Sequence, residues 1–223
     1  MTQLIKRKGV LFVVIGPSGS GKSTLCAKLV QEFSRDLHYA VSVTSRPPRQ
    51  NEVPGKSYHF VTREEFIAQR ERGEFFEWEE THGNLYGTLR SSLENGIDEG
   101  RDLLFQIDIR GALTMKNSFP DNTVTIFLIP PSFDALRERI KGRGSIDSSE
   151  MVRRFSTAKG EYEALQKLRE DKGKIDYLLV NRELEDTYGQ VRSIVVAERA
   201  RYLRLDRGAV AAFCAVSEEI DRS

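Results

Sequence analysis

The chain has 223 residues, of which 39% are hydrophobic and 30% charged, a balance that suits one soluble globular domain, or one domain with inserts, around a real core. Lys and Arg number 34 against 33 acids, a net charge of +1, which argues against a dedicated nucleic-acid binder. No apolar stretch approaches the ~20 residues of a membrane span and no signal peptide is visible, while Cys26 and Cys214 sit in no metal or redox spacing and read as packing residues of a cytoplasmic protein.

The first element is the continuous apolar run Val10 to Ile15, predicted to be a buried parallel strand. It leads into Gly16, Pro17, Ser18, Gly19, Ser20, Gly21, Lys22 and Ser23, which match the G-x-x-x-x-G-K-[ST] phosphate-binding pattern, and a helix is predicted over Thr24 to Phe33. A strand before and a helix after are what this motif needs. The glycines let successive N–H groups turn inward around phosphate oxygens, and the helix start adds its positive dipole end. Lys22 is placed to bridge the β- and γ-phosphates, and the Ser23 hydroxyl to ligate Mg2+.

Residues 40–89 differ in character, being rich in Arg, Glu, Gly and aromatics, and read as an inserted subdomain on the sheet edge. Arg46 and Arg49 flank two prolines whose fixed φ extends the backbone, so two guanidinium groups can converge on one anion. Thr62-Arg-Glu-Glu65 is a capping box for a short helix. The runs Leu103 to Ile107, Val124 to Ile129 and Ile175 to Val180 are further buried strands, so the fold class is α/β with a mostly parallel sheet. Asp108 stands at the C-terminal end of one of them, where α/β proteins place ligands. A second insert follows Pro130-Pro131: a helix beginning near Asp147-Ser-Ser-Glu150 carries Val152, Phe155, Ala158, Tyr162, Leu165 and Leu168 on one face. A charged helix over Glu185 to Arg204 turns Val191, Ile194 and Val195 inward, and the apolar tail Ala209 to Val216 suits an extra packing helix or a contact in a homo-oligomer.

At this point the sequence resembles guanylate kinase. The landmarks are the P-loop, Thr44-Ser-Arg46-Pro-Pro-Arg49-x-x-Glu52, Gly55-x-x-Tyr58-x-Phe60, Glu77-Trp78, Gly83-Asn84-x-Tyr86-Gly87, Ile107-Asp108, Arg139-x-x-x-Arg143-Gly, Arg154 and Val180-Asn181, running in order from about Gly9 to Arg201. The resemblance implies the three-layer P-loop fold as a single module: core segments 9–39, 90–132 and 172–201, a GMP-binding insert at 40–89, a lid at 133–171, and an extension over 202–223. It implies that Arg46, Arg49, Tyr58 and Tyr86 hold the GMP phosphate, and that Ser42, Glu77, Thr88 and Asp108 read guanine. A carboxylate accepts from the N1 and 2-amino donors of guanine, whereas adenine would leave it unpaired. Arg139, Arg143 and Arg154 match the lid arginines that offset charge on the transferring phosphoryl group. Asn181 matches the family's adenine contact.

The implied reaction is transfer of the γ-phosphoryl group of ATP, with Mg2+, to GMP and to dGMP, giving ADP and GDP in purine nucleotide metabolism. Gln106, Arg110 and Arg182 depart from the usual pattern, Gln106 standing where an acid is common. Three rival functions predict other features. A kinase for another nucleoside monophosphate would lack the acid at Glu77. A non-catalytic, guanylate-kinase-like module for phosphopeptides would have a degraded P-loop. An NTP-hydrolysing switch would need a water-positioning element and an N-K-x-D motif.

Overall fold

The computed structural model describes residues 7–48, 52–81, 83–141, 148–168, 174–205 and 208. Its central sheet has five strands: β1 (Leu11–Ile15), β2 (Leu37–Tyr39), β7 (Asp102–Phe105), β8 (Thr123–Ile129) and β9 (Tyr177–Val180), in the order β2-β7-β1-β8-β9, every pairing parallel. β1 lies in the middle and is fully buried, which is why its sequence is an unbroken apolar run rather than an alternating one. Val10, Phe12 and Val14 face one side, against Leu25, Cys26 and Leu29 of helix α1 (Lys22–Glu32) and Val191, Ile194 and Val195 of α7 (Leu184–Arg199). Leu11, Val13 and Ile15 face the other, against Leu93 and Ile97 of α3 (Arg90–Asp98) and Ala112 and Met115 of α4 (Ile109–Ser118).

The insert after β2 builds its own sheet from β3 (Val43–Thr44), β4 (His59–Phe60), β5 (Phe75–Thr81) and β6 (Asn84–Leu89), ordered β4-β3-β6-β5. Helix α2 (Arg63–Glu71) packs Phe66 on Phe75, the rings stacked at 4.3 Å. The predicted capping box is present: the Thr62 hydroxyl accepts from the Glu65 N–H at 3.1 Å, and the Glu65 carboxylate accepts from the Thr62 N–H at 2.7 Å. The second insert contributes α5 (Phe133–Lys141) and α6 (Ser148–Lys167), joined by a small core of Leu136, Ile140 and Ala158.

The structure differs from the sequence expectation in four places, the first being that β9, expected to be buried, lies at the sheet edge with Leu178 and Val180 exposed. The charged helix expected over Glu185 to Arg204 ends at Arg199. Arg201 is extended, a 3-10 turn covers Tyr202–Arg204, and Arg204 swings inward to donate to the Asp121 carbonyl (2.9 Å) and the Glu198 carboxylate (2.6 Å). On α6, Phe155, Ala158, Tyr162 and Leu165 pack as predicted, as does Leu168 just past its end, but Val152 is exposed. The edge strand β2 carried no sequence signal. Cys26 is fully buried as expected, while Cys214 and Ala209 to Val216 lie outside the described residues.

One ionic cluster ties the chain's early and late segments to the sheet. Asp102, wholly buried at the start of β7, accepts from Arg7 (2.6 and 2.8 Å), from Arg199 (2.6 Å) and from the Val10 N–H (2.9 Å). Two cations and a backbone donor compensate the desolvated carboxylate, the condition under which a buried charge is tolerated.

Candidate active site

The P-loop turns between β1 and α1. Gly16 has φ +130°, and a Cβ there would lie 2.1 Å from the Leu128 carbonyl oxygen; Gly21, at φ +99°, caps α1. Both positions therefore require glycine. Pro17, Gly19 and Ser20 are buried, Ser18 is half-buried, and Ser23 and Thr24 are exposed at the first turn of α1. The Lys22 ammonium folds back over the loop, donating to the Gly16 carbonyl and to the Pro17 carbonyl at 3.0 Å. The Ser23 hydroxyl donates to Gln106 Oε1 at 3.0 Å. This puts a hydroxyl and an amide oxygen, both hard donors of the kind Mg2+ takes, beside each other at the strand ends.

A cavity of about 390 Å³ opens from this point into the insert; Lys22, Ser42, Tyr58, Glu77, Tyr86 and Asp108 all line it. Its volume lies in the range of small-molecule sites. The β5–β6 register sets Glu77 opposite Thr88, after an irregularity that shifts the pairing between Phe75 and Glu77. The Thr88 hydroxyl donates to Glu77 Oε1 at 2.6 Å. Burial raises the Glu77 pKa, opposed by that hydrogen bond and reinforced by Glu79 and Asp108. Asp108 uses Oδ1 to accept from the Gly111 N–H at 2.8 Å, so it caps α4 while lining the cavity.

At the other side Arg46 is buried in a two-pronged pair with Glu52 (2.6 and 2.5 Å), and its guanidinium lies 5.0 Å from the Tyr58 ring centroid. The Tyr58 and Tyr86 rings meet edge-on at 6.0 Å. The Glu52 bonds are the main reason the Arg46 pKa is raised, so this cation is held charged and aimed. The structure thus gathers Lys22, Ser42, Arg46, Tyr58, Glu77, Tyr86, Thr88 and Asp108 around one cleft. Arg49 and Arg143 lie outside the described residues, and Arg154 is half-buried on α6.

Two predicted positions bond to protein groups in this structure. Arg139 donates to the carbonyls of Asn181 (3.0 Å) and Arg182 (3.1 Å), which close off β9. Asn181, expected to face an adenine, is 3% exposed and spends its side chain inside the protein, donating to the Ser20 carbonyl at 2.7 Å. The sequence reading also missed Glu161. From α6 it lines the same cavity, and its Oε2 is buried without a hydrogen-bond partner among the described residues. Burial raises its pKa, Lys22 pulls it down and Asp108 pushes it up. On a helix with this many charges, nothing in the pattern separates Glu161 from the solvated acids around it.

The family model for guanylate kinase matches residues 8–198 of the chain. The chain belongs to the guanylate kinase family. It is 44% identical over 197 residues to the guanylate kinase of Thermotoga maritima, covering 88% of this chain and 91% of that one. It is 41% identical over 201 residues to the guanylate kinase of Geobacter metallireducens, covering 90% and 95%. Among solved structures, the crystal structure of guanylate kinase from Anaplasma phagocytophilum superposes with a TM-score of 0.68 at 32% identity, covering 91% of this chain and 93% of that one. The family match spans the core, the insert and α5–α6, so it includes every site residue discussed above.

Proposed function

We propose that the chain is a guanylate kinase, transferring the γ-phosphoryl group of ATP to GMP. The observation that carries this is the single cleft in which the P-loop lysine faces a carboxylate–hydroxyl pair and an aimed arginine. Glu77 accepts from guanine N1–H and the 2-amino group, with the Ser42 hydroxyl donating to O6 and the Thr88 hydroxyl, bonded to Glu77, orienting the carboxylate. Arg46, Tyr58 and Tyr86, together with Arg49, take the acceptor phosphate. An oxygen of that phosphate forms the new bond to the γ-phosphorus while the β–γ bridge breaks and ADP leaves. The attacking oxygen is already anionic near neutral pH, so the site needs alignment and charge neutralisation more than a base.

Lys22 supplies positive charge at the transferring group once it exchanges the Gly16 and Pro17 carbonyls for phosphate oxygens. Arg154 and Arg143 add to it, and Arg139 does so by giving up the carbonyls of Asn181 and Arg182. Ser23, Gln106 and Asp108 offer oxygen donors that fit Mg2+, the last two directly or through water. When bound, the ion neutralises triphosphate charge. The intact Lys22 and Ser23 weigh against a phosphopeptide-binding module.

A coupled ADP-release assay with ATP and Mg2+ tests the reading. GMP is expected to be the strong acceptor, dGMP a substrate, and AMP, CMP and UMP poor ones. Equal rates with GMP and AMP would overturn it.

A further inference from the structure

We infer that Asn181 is a positioning residue that braces the phosphate-binding loop and does not read the donor's base. This deepens the proposed function and rests on it only for the identity of the donor.

A loop that turns its N–H groups inward around phosphate turns carbonyls outward into the protein, where each needs a donor. Ser20 turns its carbonyl into the protein in this way. It is wholly buried, its N–H bonds the Pro17 carbonyl at 3.1 Å, and its own carbonyl accepts from Asn181 Nδ2 at 2.7 Å. The amide is locked from the other end. Asn181 Oδ1 lies 3.1 Å from the hydroxyl of buried Thr187, whose hydrogen is shared with the Glu183 carbonyl at 2.9 Å. The backbone is held as well: the Asn181 N–H donates to the Ile129 carbonyl at 2.7 Å, and until Arg139 turns to the phosphates the Asn181 carbonyl accepts from it at 3.0 Å.

The fit leaves no slack, since a Cβ on Gly21 would sit 2.2 Å from Asn181 Nδ2. The third loop glycine is thus needed for the close approach of this amide as well as for its positive φ. With every polar atom of Asn181 engaged and the side chain out of solvent, turning it toward a base would orphan the Ser20 carbonyl. Removing the side chain frees the loop to leave its anion-holding shape. Affinity then falls by the fraction of time that shape is lost, whatever is attached to the phosphates.

The test uses Mg2+-tripolyphosphate, which has the phosphates and no base, beside Mg2+-ATP. Both are titrated calorimetrically into the full-length chain as wild type, Asn181→Ala and Thr187→Val, with GMP affinity and Tm measured on each. Asn181→Ala is expected to weaken tripolyphosphate and ATP by the same factor, about tenfold for a competent fraction near one tenth. Thr187→Val should weaken both equally and less, and GMP affinity should stay unchanged in both variants. Should Asn181→Ala not fold, Thr187→Val decides alone by the same criterion. ATP weakened with tripolyphosphate unchanged would make Asn181 a base contact and overturn the inference, as would no change in either, or a wild type that does not bind tripolyphosphate. Wild-type GMP phosphorylation is assayed separately, so a failure of the kinase reading is seen apart from a failure of the brace.

Discussion

Replacing Glu77 by Gln tests the acceptor half of the site at its most informative atom pair. The carboxylate has about four lone-pair positions, and the Thr88 hydroxyl occupies one of them at 2.6 Å. The remainder accept guanine N1–H and the 2-amino group. Hydrogen bonds to a charged group contribute about 1.5–3 kcal/mol each. Gln keeps one acceptor oxygen but presents an NH2 where the second guanine donor arrives. The loss is therefore one such bond plus a donor–donor contact, about 3 kcal/mol or about 150-fold in kcat/KM for GMP.

IMP separates recognition from general damage, because it keeps N1–H and lacks the 2-amino group. Wild type should prefer GMP over IMP by roughly 10- to 150-fold, the worth of one charged hydrogen bond, and Glu77→Gln should shrink that gap to less than about threefold. Steady-state kinetics with both acceptors at saturating ATP measure it. Thermal unfolding supplies the control. Burial raises the Glu77 pKa, so in the ligand-free fold its charge costs stability at neutral pH, and Gln should leave Tm unchanged or raise it. Equal losses for GMP and IMP, or a lowered Tm with an unchanged ratio, would refute the assignment and make Glu77 a structural strand acid.

Lys22→Met should lower kcat by about 10³-fold or more, the upper end of what one transition-state donor supplies, with a Tm within a few degrees of wild type; near-normal turnover would remove Lys22 from the chemistry. The inhibition constant of guanosine, which has no phosphate to titrate, should rise as pH falls through the raised Glu77 pKa, beginning above the ordinary glutamate range; the guanine contact needs the carboxylate, and a flat profile down to that range would contradict it. Cys26, on the buried face of α1 with its thiol pushed up to about 12, should resist iodoacetamide at pH 8 until the protein is unfolded. Mass spectrometry of the peptide carrying Cys26 reads this directly.

What could be read from the chain alone divides by range of interaction. β1, the P-loop and the Thr62–Glu65 cap are local features: periodicity, glycine placement and a three-residue side-chain reach define them, and the structure has them where the sequence puts them. The gathering of Glu77 and Thr88 was implied by family resemblance, while the reason for it, a cross-strand pair after an irregular register, is a tertiary fact. β2 escaped notice because three residues at a sheet edge, with only Leu37 fully buried, carry no period to detect. α7 was read too long because Arg201 to Arg204 continue the charged pattern, and the inward turn of Arg204 depends on an Asp121 carbonyl far away in sequence. Glu52 belongs to the Thr44–Glu52 motif, but its work of aiming Arg46 depends on the two side chains meeting in a fork, which only the structure shows. The bond from the Asn181 amide to the Ser20 carbonyl is invisible in sequence for the same reason: the two residues are 161 positions apart.

The Asp102 cluster bears on the order in which this chain can assemble as it is made. The carboxylate sits at the head of β7, near the middle of the chain, but one of its two cations, Arg199, closes α7, the last long helix among the described residues. Until that helix emerges and docks, setting β7 beside β1 would bury the acid with only Arg7 to balance it, and the other face of the sheet would lack α7. A half-synthesised chain therefore gains little by closing its centre early. The charge arrangement makes completion of the parallel sheet a late event that waits for the C-terminal end of the core, as expected for a topology dominated by contacts distant in sequence.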